Sequence, residues 1–283
     1  MTYEKIDLYA HFGVKKPKGA KGTLTVMIPY NTPELMPKLR PAVLVCPGGG
    51  YGFMSDREGE PVALWFASKS YAAFVLDYTI FAKHPVPLAE ACLAVAYIRE
   101  NARSLGVDPD RIAAIGFSAG GHLVGTLATL YADECIKAAL GDHAKNARPD
   151  AVILSYPVVT MGIETHGGSR DIITGGDPEL LDKLSVQKQV RGDSVPAFIW
   201  HTYDDDCVPV ENSLMLAEAY RRAGVPFALH IFEKGWHGIS LVNAEVQNGT
   251  EAEKALRHIG KWIELAYDWL TVRGFAVSVK NQG

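Results

Sequence analysis

The sequence lacks the features that are typical of membrane proteins and of nucleic-acid-binding proteins. Proline and glycine interrupt its uncharged stretches well before the roughly 20 apolar residues that a membrane helix needs. Lysine and arginine number 28 against 32 aspartates and glutamates, and no basic run favours nucleic acid or an anionic membrane. The first residues, Met1–Asp7, lack the apolar segment of a secretory signal. We therefore expect a cytoplasmic protein with neither nucleic-acid nor membrane partners.

Cysteine is also scarce. The four cysteines, Cys46, Cys92, Cys135 and Cys207, form no CxxC pair and no spacing typical of a metal site. Cys46 and Cys92 lie in apolar runs, so buried free thiols in a reducing compartment are expected. No metal ion and no other cofactor is expected.

What the sequence does contain is a large apolar fraction in alternating short elements. Of 283 residues, 48% are hydrophobic and 21% are charged, which is enough for a sizeable buried core. Nearly continuous apolar runs such as Pro41–Cys46 and Ala72–Asp77 are typical of strands buried on both faces of a parallel sheet. Segments with helical spacing, such as Arg57–Lys69 and Pro87–Ser104, separate the strands. This alternation predicts an α/β fold with a doubly wound, mostly parallel sheet.

The alternation continues to the end of the chain. Further predicted strands are Arg111–Ile115, Ala151–Ser155, Ala197–Trp200 and Ala228–Phe232, and further predicted helices are Gly120–Tyr131, Ser213–Ala223 and Glu251–Leu270. At the other end, Ile6–Phe12 and Gly22–Pro29 alternate apolar and polar residues. They predict an antiparallel N-terminal hairpin at one edge of the sheet.

One segment, 158–193, interrupts the alternation. It is rich in glycine and polar residues and is predicted to contain at most a short helix near Pro178–Leu184. A long insertion late in such a sheet is a candidate cap over a binding site. We expect residues 1–283 to form a single domain that carries this small cap-like insertion.

A motif for covalent catalysis lies between a predicted strand and a predicted helix. Gly116–Gly120 reads Gly-Phe-Ser-Ala-Gly, which fits the pattern G-x-S-x-G and has the strand–turn–helix context that this pattern requires. Only small residues fit beside the serine in so sharp a turn, which lifts its hydroxyl above the strand ends. Ser118 is therefore the candidate nucleophile; the alternative is a glycine-rich turn with an idle serine.

A serine hydroxyl is a weak nucleophile unless a base removes its proton. Among the nine histidines, His237 has the position that such a base needs, on the glycine-flanked loop Lys234–Gly238 after the last predicted strand. His166 lies in the candidate cap and could contact substrate. His122 follows the serine motif directly and is expected to pack or to form hydrogen bonds.

The acid that orients the base is expected in the loop after Ala197–Trp200. Three consecutive carboxylates, Asp204, Asp205 and Asp206, lie there, and their adjacency leaves the choice among them open. Such a triplet could instead bind a cation, but the further oxygen ligands that a cation needs are not found at a set spacing.

The tetrahedral intermediate of acyl transfer needs backbone N–H donors. One is expected from Ala119, and another from Gly49 or Gly50 in the glycine-rich loop Pro47–Tyr51 after an earlier strand. Tyr51 in this loop is a candidate substrate contact. A phosphate-binding loop is the competing interpretation, but neither of the glycine-rich phosphate motifs is present.

These residues together resemble the α/β-hydrolase superfamily of esterases and lipases. More narrowly, the chain resembles the bacterial carbohydrate-esterase-like branch, which includes acetyl xylan esterases and bifunctional acetyl/feruloyl esterases. The resemblance is carried, in order, by Pro47–Tyr51, Ser55–Val62, Gly116–His122, His201–Ser213 and Phe232–Gly238. It implies the α/β-hydrolase fold.

Two details refine the resemblance. In this family the acid stands four residues before the proline of an Asp-x-x-Val-Pro segment, which implies Asp205 as the acid. Hormone-sensitive-lipase-like esterases have His-Gly-Gly-Gly where this chain has Pro47 before its glycines, which favours the carbohydrate-esterase-like branch.

The expected function is that of a serine esterase that removes short acyl groups, with acetyl groups on saccharides as the expected substrate. Its partner is then a small-molecule or oligosaccharide ester. The alternatives are an amide or formamide hydrolase of the kynurenine formamidase type, a feruloyl esterase, and a non-catalytic binding protein on a hydrolase scaffold. The oligomeric state stays open, with a homodimer as one alternative.

Overall fold

A central sheet organises the computed structural model, which describes residues 1–35, 38–247 and 256–279. The strands are β1 (Thr2–Asp7), β2 (Thr23–Ile28), β3 (Lys38–Cys46), β4 (Ala72–Asp77), β5 (Val107–Phe117), β6 (Ala151–Ser155), β7 (Ala197–Thr202), β8 (Phe227–Phe232) and β9 (Ser278–Val279). Their order is β1-β2-β4-β3-β5-β6-β7-β8, and β9 pairs with the start of β3. From β4 to β8 all neighbours are parallel, whereas β2 is antiparallel to both β1 and β4.

Helices separate most of the strands, as each parallel crossover requires. They are α1 (Leu8–Phe12), α2 (Glu60–Ser68), α3 (Val86–Glu100), α4 (Ala102–Leu105), α5 (Ala119–Leu130), α6 (Glu134–Leu140), α7 (Gly167–Thr174), α8 (Pro178–Lys183), α9 (Val186–Gln189), α10 (Glu211–Ala223) and α11 (Trp262–Val272). Pro61 and Pro87 lie in the first turns of α2 and α3, where proline's missing N–H costs no helical hydrogen bond.

The core lies on both faces of the sheet. Along β3, Leu44 belongs to one apolar cluster, and its neighbours Val43 and Val45 belong to the cluster on the opposite face. This alternation explains why the strand reads as a continuous apolar run. The predicted mostly parallel sheet with its antiparallel N-terminal hairpin is confirmed.

The predicted strand Ile6–Phe12 is wrong beyond Asp7. The Asp7 side chain accepts a hydrogen bond from the N–H of Ala10 at 3.1 Å, which caps α1, and Gly13 ends this helix in a left-handed conformation. An aspartate cap and a glycine stop therefore override the alternating pattern of the sequence.

The segment 158–193 contains more helix than expected. Besides α8, which matches the predicted short helix, it forms α7 and α9. Side chains cap α7 and α8. The N–H of Ser169 donates to the His166 side chain at 3.2 Å, and the N–H of Glu179 donates to the Asp177 side chain at 3.0 Å. At the C-terminal end, the predicted helix Glu251–Leu270 begins outside the described residues; within them α11 starts at Trp262.

The strand order reverses between β3 and β5, which is where open α/β sheets bind their ligands. After β3 the chain moves to β4 on one side and then returns to β5 on the other. The loops that leave neighbouring strands on either side of this reversal form a crevice at their carboxyl ends. Pro47–Tyr51 follows β3 and Ser118 follows β5, so these two sequence features border the same crevice.

Within the described ranges, no helix has both the length and the apolar character needed to cross a bilayer. The same residues include no cluster of three or more histidine, cysteine or acidic side chains arranged to bind a metal. Cys46 and Cys92 are buried free thiols as expected, whereas Cys207 is exposed.

Candidate active site

Ser118 occupies a strained turn between β5 and α5. Its φ is 52° and its ψ is -118°, values that a side-chain-bearing residue adopts only where the surroundings impose them. A Cβ at Gly120 would overlap the carbonyl oxygen of Cys46, and one at Gly116 would overlap the carbonyl oxygen of Gly120. The glycines are therefore required by close backbone contacts, as the sequence pattern predicted.

The serine hydroxyl, an imidazole and a carboxylate form one continuous hydrogen-bonded chain. Ser118 Oγ lies 2.7 Å from His237 Nε2, and His237 Nδ1 lies 2.7 Å from Asp205 Oδ2. The three residues follow β5, β8 and β7, so the carboxyl ends of three parallel strands bring them together. The side chain of Ser118 is buried except for a small accessible fraction, with the residue 8% exposed.

The structure distinguishes the three consecutive carboxylates. Asp205 contacts His237, while Asp204 accepts the N–H of Gly235 at 2.7 Å and so holds the start of the histidine loop. Asp206 points to solvent.

Asp205 is held as a carboxylate by several donors. Its Oδ1 accepts the N–H groups of Cys207 and Val208 at 3.0 and 2.8 Å. Burial acts to raise the pKa of Asp205, but hydrogen bonds from His201 and His237 and the backbone outweigh burial and hold this pKa well below its usual value. A carboxylate that stays ionised can orient the imidazole and stabilise its positive form.

His201 is a site residue that the sequence reasoning left without a role. Its Nε2 lies 3.3 Å from Asp205 Oδ2 and 2.9 Å from the carbonyl oxygen of Val208, while its Nδ1 lies 2.8 Å from Ser213 Oγ. Nε2 therefore carries the proton and Nδ1 accepts from the serine hydroxyl, a tautomer assigned from the hydrogen bonds. The signal that could have found it is its position at the start of the stretch His201–Ser213, which also contains Asp205.

The glycine-rich loop lies against Ser118. A Cβ at Gly48 would come within 3.0 Å of Ser118 Cβ, and Gly49 has a φ of 124°, where a Cβ would overlap the carbonyl oxygen of Phe53. Within the described residues, the N–H groups of Gly49, Gly50 and Ala119 donate to no protein acceptor. These unpaired donors beside the serine have the character of an oxyanion hole.

The structure corrects the expectation for Tyr51. Its side chain is only 1% exposed and its hydroxyl lies 2.8 Å from His122 Nδ1, so it packs beneath the glycine loop instead of contacting substrate. His122 Nε2 lies in turn 2.8 Å from the carbonyl oxygen of Leu184. The expected packing and hydrogen-bonding role of His122 is confirmed.

A cleft of about 330 Å³ opens over the serine. Its walls are Gly49, Gly50, Phe53, Ser55, Arg57, Glu58, Ser118, His166, Cys207, His237 and Gly238. His166 stands over the glycine loop, since a Cβ at Gly50 would come within 3.3 Å of its Cε1. Burial, together with the positive charge of His237, lowers the pKa of His166, which favours a neutral ring facing the cleft.

Two further residues at the site have no role in the sequence reasoning. Glu58 lies in the cleft wall, and Tyr156, which does not line the cleft, stands with its ring edge-on to that of His237 at a centroid distance of 5.1 Å. Glu58 belongs to the stretch Ser55–Val62, which carried part of the resemblance without a function attached. Tyr156 offered no motif, because its position depends on how β6 ends beside β7.

This geometry provides what acyl transfer needs: a hydroxyl beside an imidazole, an acid behind the imidazole, and free N–H donors near the hydroxyl. A family model described as BD-FAE matches residues 30–220, which is more than half of the chain. The chain belongs to the BD-FAE family. The predicted resemblance to an esterase branch of the α/β-hydrolases is thereby confirmed.

Curated relatives of this BD-FAE chain include xylan-related proteins. Endo-1,4-beta-xylanase B of Butyrivibrio fibrisolvens is 41% identical over 218 residues, which are 74% of this chain and 34% of that protein. The acetylxylan esterase of Xylanibacter ruminicola is 29% identical over 235 residues, which are 79% of this chain and 45% of that protein. The chain thus spans between a third and a half of the length of these two relatives.

Solved structures match the BD-FAE chain over nearly its full length. The acetyl ester-xyloside bifunctional hydrolase from Caldicellulosiruptor lactoaceticus is 36% identical, with a TM-score of 0.82, covering 96% of this chain and 97% of that chain. The carboxylesterase Cest-2923 from Lactobacillus plantarum is 28% identical, with a TM-score of 0.84, covering 98% and 100%. The expected α/β-hydrolase fold and the expected class, a carboxylic ester hydrolase, are confirmed.

Proposed function

We propose that this chain hydrolyses short-chain acyl esters, and specifically acetyl groups on saccharides, through a Ser118–His237–Asp205 triad and an acyl-enzyme. The observation that carries the proposal is the continuous relay from Ser118 Oγ to His237 Nε2 and from His237 Nδ1 to Asp205 Oδ2, each step 2.7 Å long. Both distances are short enough for proton transfer in the first step and for charge stabilisation in the second.

In the acylation step, His237 Nε2 takes the proton of Ser118 as Oγ attacks the ester carbonyl carbon. The carbonyl oxygen becomes an oxyanion, which the N–H groups of Ala119 and of Gly49 or Gly50 stabilise. When the tetrahedral intermediate collapses, the bond to the alcohol oxygen breaks and His237 donates its proton to the leaving alcohol. Asp205 stabilises the imidazolium throughout.

In the deacylation step, a water molecule takes the place of the alcohol. His237 removes a proton from this water as the water oxygen attacks the acyl carbon. A second oxyanion forms, and the same N–H groups stabilise it. When this intermediate collapses, the bond between the acyl carbon and Ser118 Oγ breaks, His237 donates its proton to Oγ, and the carboxylic acid is released. The cycle consumes one water per ester and needs no cofactor.

The acetyl-saccharide substrate rests on the relatives and on the size of the cleft. The similar proteins include an acetylxylan esterase and an acetyl ester-xyloside bifunctional hydrolase. A cleft of about 330 Å³ suits a small acyl group together with part of a sugar. We further propose that 158–193 acts as a cap-like insertion in a single domain, because it places His166 in the cleft wall.

The test is Ser118→Ala, assayed on an acetyl ester and on acetylated xylo-oligosaccharides. We expect the rate to fall by about 10⁴-fold or more, because no other group supplies the nucleophile. Ser104→Ala is the matched control, since Ser104 is exposed and bonds only within its own turn. A Ser118→Ala protein that hydrolyses these esters at the wild-type rate would refute the triad.

A substrate panel tests the acyl group separately. Acetyl, butyryl, feruloyl and formyl substrates, with sugar acetates included, should rank sugar acetates first in kcat/KM. A preference for feruloyl esters or formamides would overturn the substrate assignment while leaving the dependence on Ser118 in place.

A further inference from the structure

We propose that Glu58 is a positioning residue for ester hydrolysis: its buried carboxylate holds the oxyanion loop and, through Tyr156, the loop that carries His237. The inference rests on the proposed function, because it assigns Glu58 a role in the reaction of Ser118. It adds to the triad a second carboxylate that lies close to His237.

The carboxylate of Glu58 joins two parts of the site. Glu58 is only 2% exposed although it lies in the cleft wall. Its Oε2 accepts the N–H of Gly48 at 2.8 Å, directly before the proposed oxyanion donors Gly49 and Gly50. Its Oε1 accepts the hydroxyl of Tyr156 at 2.7 Å. One buried side chain therefore fixes both the glycine loop and the tyrosine.

Tyr156 connects Glu58 to the loop that carries His237. Its hydroxyl accepts the N–H of Ser240 at 3.1 Å, and its ring stands edge-on to the His237 ring. Ser240 Oγ also donates to the carbonyl oxygen of Arg57 at 2.6 Å. The histidine loop is thus tied twice to the pair Arg57–Glu58, and a shift of Glu58 would move His237 relative to Ser118.

In both of its hydrogen bonds Glu58 is the acceptor, which fits an ionised carboxylate. Burial raises the pKa of Glu58, while hydrogen bonds from Tyr156 and Gly48 and the positive charge of His237 lower it. An opposite charge nearby favours the charged form of a group. The carboxylate of Glu58 therefore favours the imidazolium that forms on His237 as Ser118 attacks.

A second buried glutamate provides the matched control. Glu90 is fully buried, and its carboxylate accepts from the Tyr9 hydroxyl at 3.0 Å and from the N–H and hydroxyl of Thr79, each at 2.6 Å. Burial raises the pKa of Glu90 as it does for Glu58. These partners attach α1 to the loop after β4, so Glu90→Gln makes the same chemical change in a purely structural network.

The test compares Glu58→Gln, Tyr156→Phe and Glu90→Gln with the wild type in kcat, KM and the pH profile of kcat/KM on an acetyl ester. Glutamine keeps the shape of Glu58 and can still accept the N–H of Gly48, so this variant removes chiefly the charge. We expect Glu58→Gln to lower kcat by about 10- to 100-fold, with KM changed less than about threefold, because the variant no longer favours the imidazolium that forms on His237 in the chemical step.

The pH profile distinguishes a role at His237 from a structural one. Loss of a nearby negative charge lowers the pKa of an imidazole, so the acid limb of the profile should move to lower pH by about one unit in Glu58→Gln. Other titratable groups face His237 from the surrounding elements, namely Asp205, His166, Tyr156, Arg57 and Cys207. All of them are unchanged in this variant. Tyr156→Phe should lower kcat and leave the acid limb in place, because it keeps the charge of Glu58.

Two outcomes would overturn the inference: wild-type kcat and acid limb in Glu58→Gln, or changes no different from those of Glu90→Gln. Glu58→Ala would leave two buried donors unpaired and is therefore the variant with the greatest risk of misfolding. The three conservative variants make it unnecessary. If the wild type shows no activity that depends on Ser118, the proposed function fails first. If that activity is present and Glu58→Gln behaves as the control does, the inference alone fails.

Discussion

Asp205 and Glu58 are two buried carboxylates near His237, yet their surroundings shift their pKa values in opposite directions. Asp205 has two backbone N–H donors and two histidines around it, which together outweigh burial. Glu58 has one backbone N–H and one tyrosine hydroxyl, and burial prevails. Glu58 is the more deeply buried of the two, at 2% against 9% exposed, and has fewer donors, so its carboxylate is the less firmly ionised.

The largest expected effect in this comparison comes from Asp205→Asn. The amide cannot stabilise the imidazolium and favours the wrong imidazole tautomer, so kcat should fall by about 10⁴-fold. Steady-state kinetics on an acetyl ester measures this. Asp206→Asn is the matched control on the neighbouring residue and should retain activity within about twofold. A small loss in Asp205→Asn, or an equal loss in both variants, would mean that Asp205 is not the acid.

A smaller effect is expected from His201→Leu, which removes one of the donors to Asp205, whereas glutamine would keep an N–H donor near the position of Nε2. A hydrogen bond to a charged group contributes about 1.5–3 kcal/mol, so a loss of about tenfold in kcat is expected. The same kinetic assay measures it, with His230→Leu as a control on the next strand, where the ring stacks on Phe198. Equal kcat values for His201→Leu and the wild type would show that the backbone N–H groups suffice to hold Asp205.

Ionisation of the two carboxylates should have opposite effects on the free energy of unfolding as the pH rises. The folded-state pKa of Asp205 lies below its ordinary value of 3.8, so its contribution to stability is present above that pH and is lost as the pH falls through the folded-state pKa. The folded-state pKa of Glu58 lies above its ordinary value of 4.5, so ionised Glu58 costs stability as the pH rises from that value.

Melting temperatures measured across this range provide the test. At neutral pH, Asp205→Asn should have a lower Tm than the wild type, and this difference should shrink as the pH falls below about 4. Glu58→Gln should have a Tm equal to or above that of the wild type at neutral pH. A Tm loss of the same size in both variants would contradict the opposite pKa shifts.

The smallest expected effect concerns the two candidate substrate contacts. Tyr51→Phe should change KM by less than about twofold, because the buried hydroxyl contacts His122 and no part of the cleft. His166→Ala should raise KM several-fold if its ring contacts the substrate as its place in the cleft wall implies. A larger KM effect for Tyr51→Phe than for His166→Ala would show that Tyr51 contacts the substrate and that His166 does not.

The sequence alone predicts the parts of the site that depend on local geometry. Ser118 can be predicted because only glycine fits at 116 and 120, and because the apolar segments on either side of the motif predict a strand before it and a helix after it. In the sequence only the family resemblance implies Asp205, because three adjacent carboxylates look alike until the loop after β7 turns one of them toward His237.

The sequence could not predict the parts that depend on contacts between distant loops. Tyr156 and Glu58 are 98 positions apart, and their hydrogen bond exists only because the ends of β3 and β6 lie in one crevice. Tyr51 resembles a substrate contact by its place after the glycines, but its positive φ of 61° turns the chain so that the ring enters the core. Local patterns carry no information about either arrangement.

Covalent labelling tests most directly whether Ser118 is the residue that carries the acyl group. Wild-type protein and Ser118→Ala would be treated with a fluorophosphonate probe, and intact mass and peptide mapping would locate the adduct. We predict a single adduct on Ser118 in the wild type, accompanied by loss of esterase activity, and no adduct in Ser118→Ala. An active wild type that stays unlabelled, or a Ser118→Ala protein labelled to the same extent, would contradict the account.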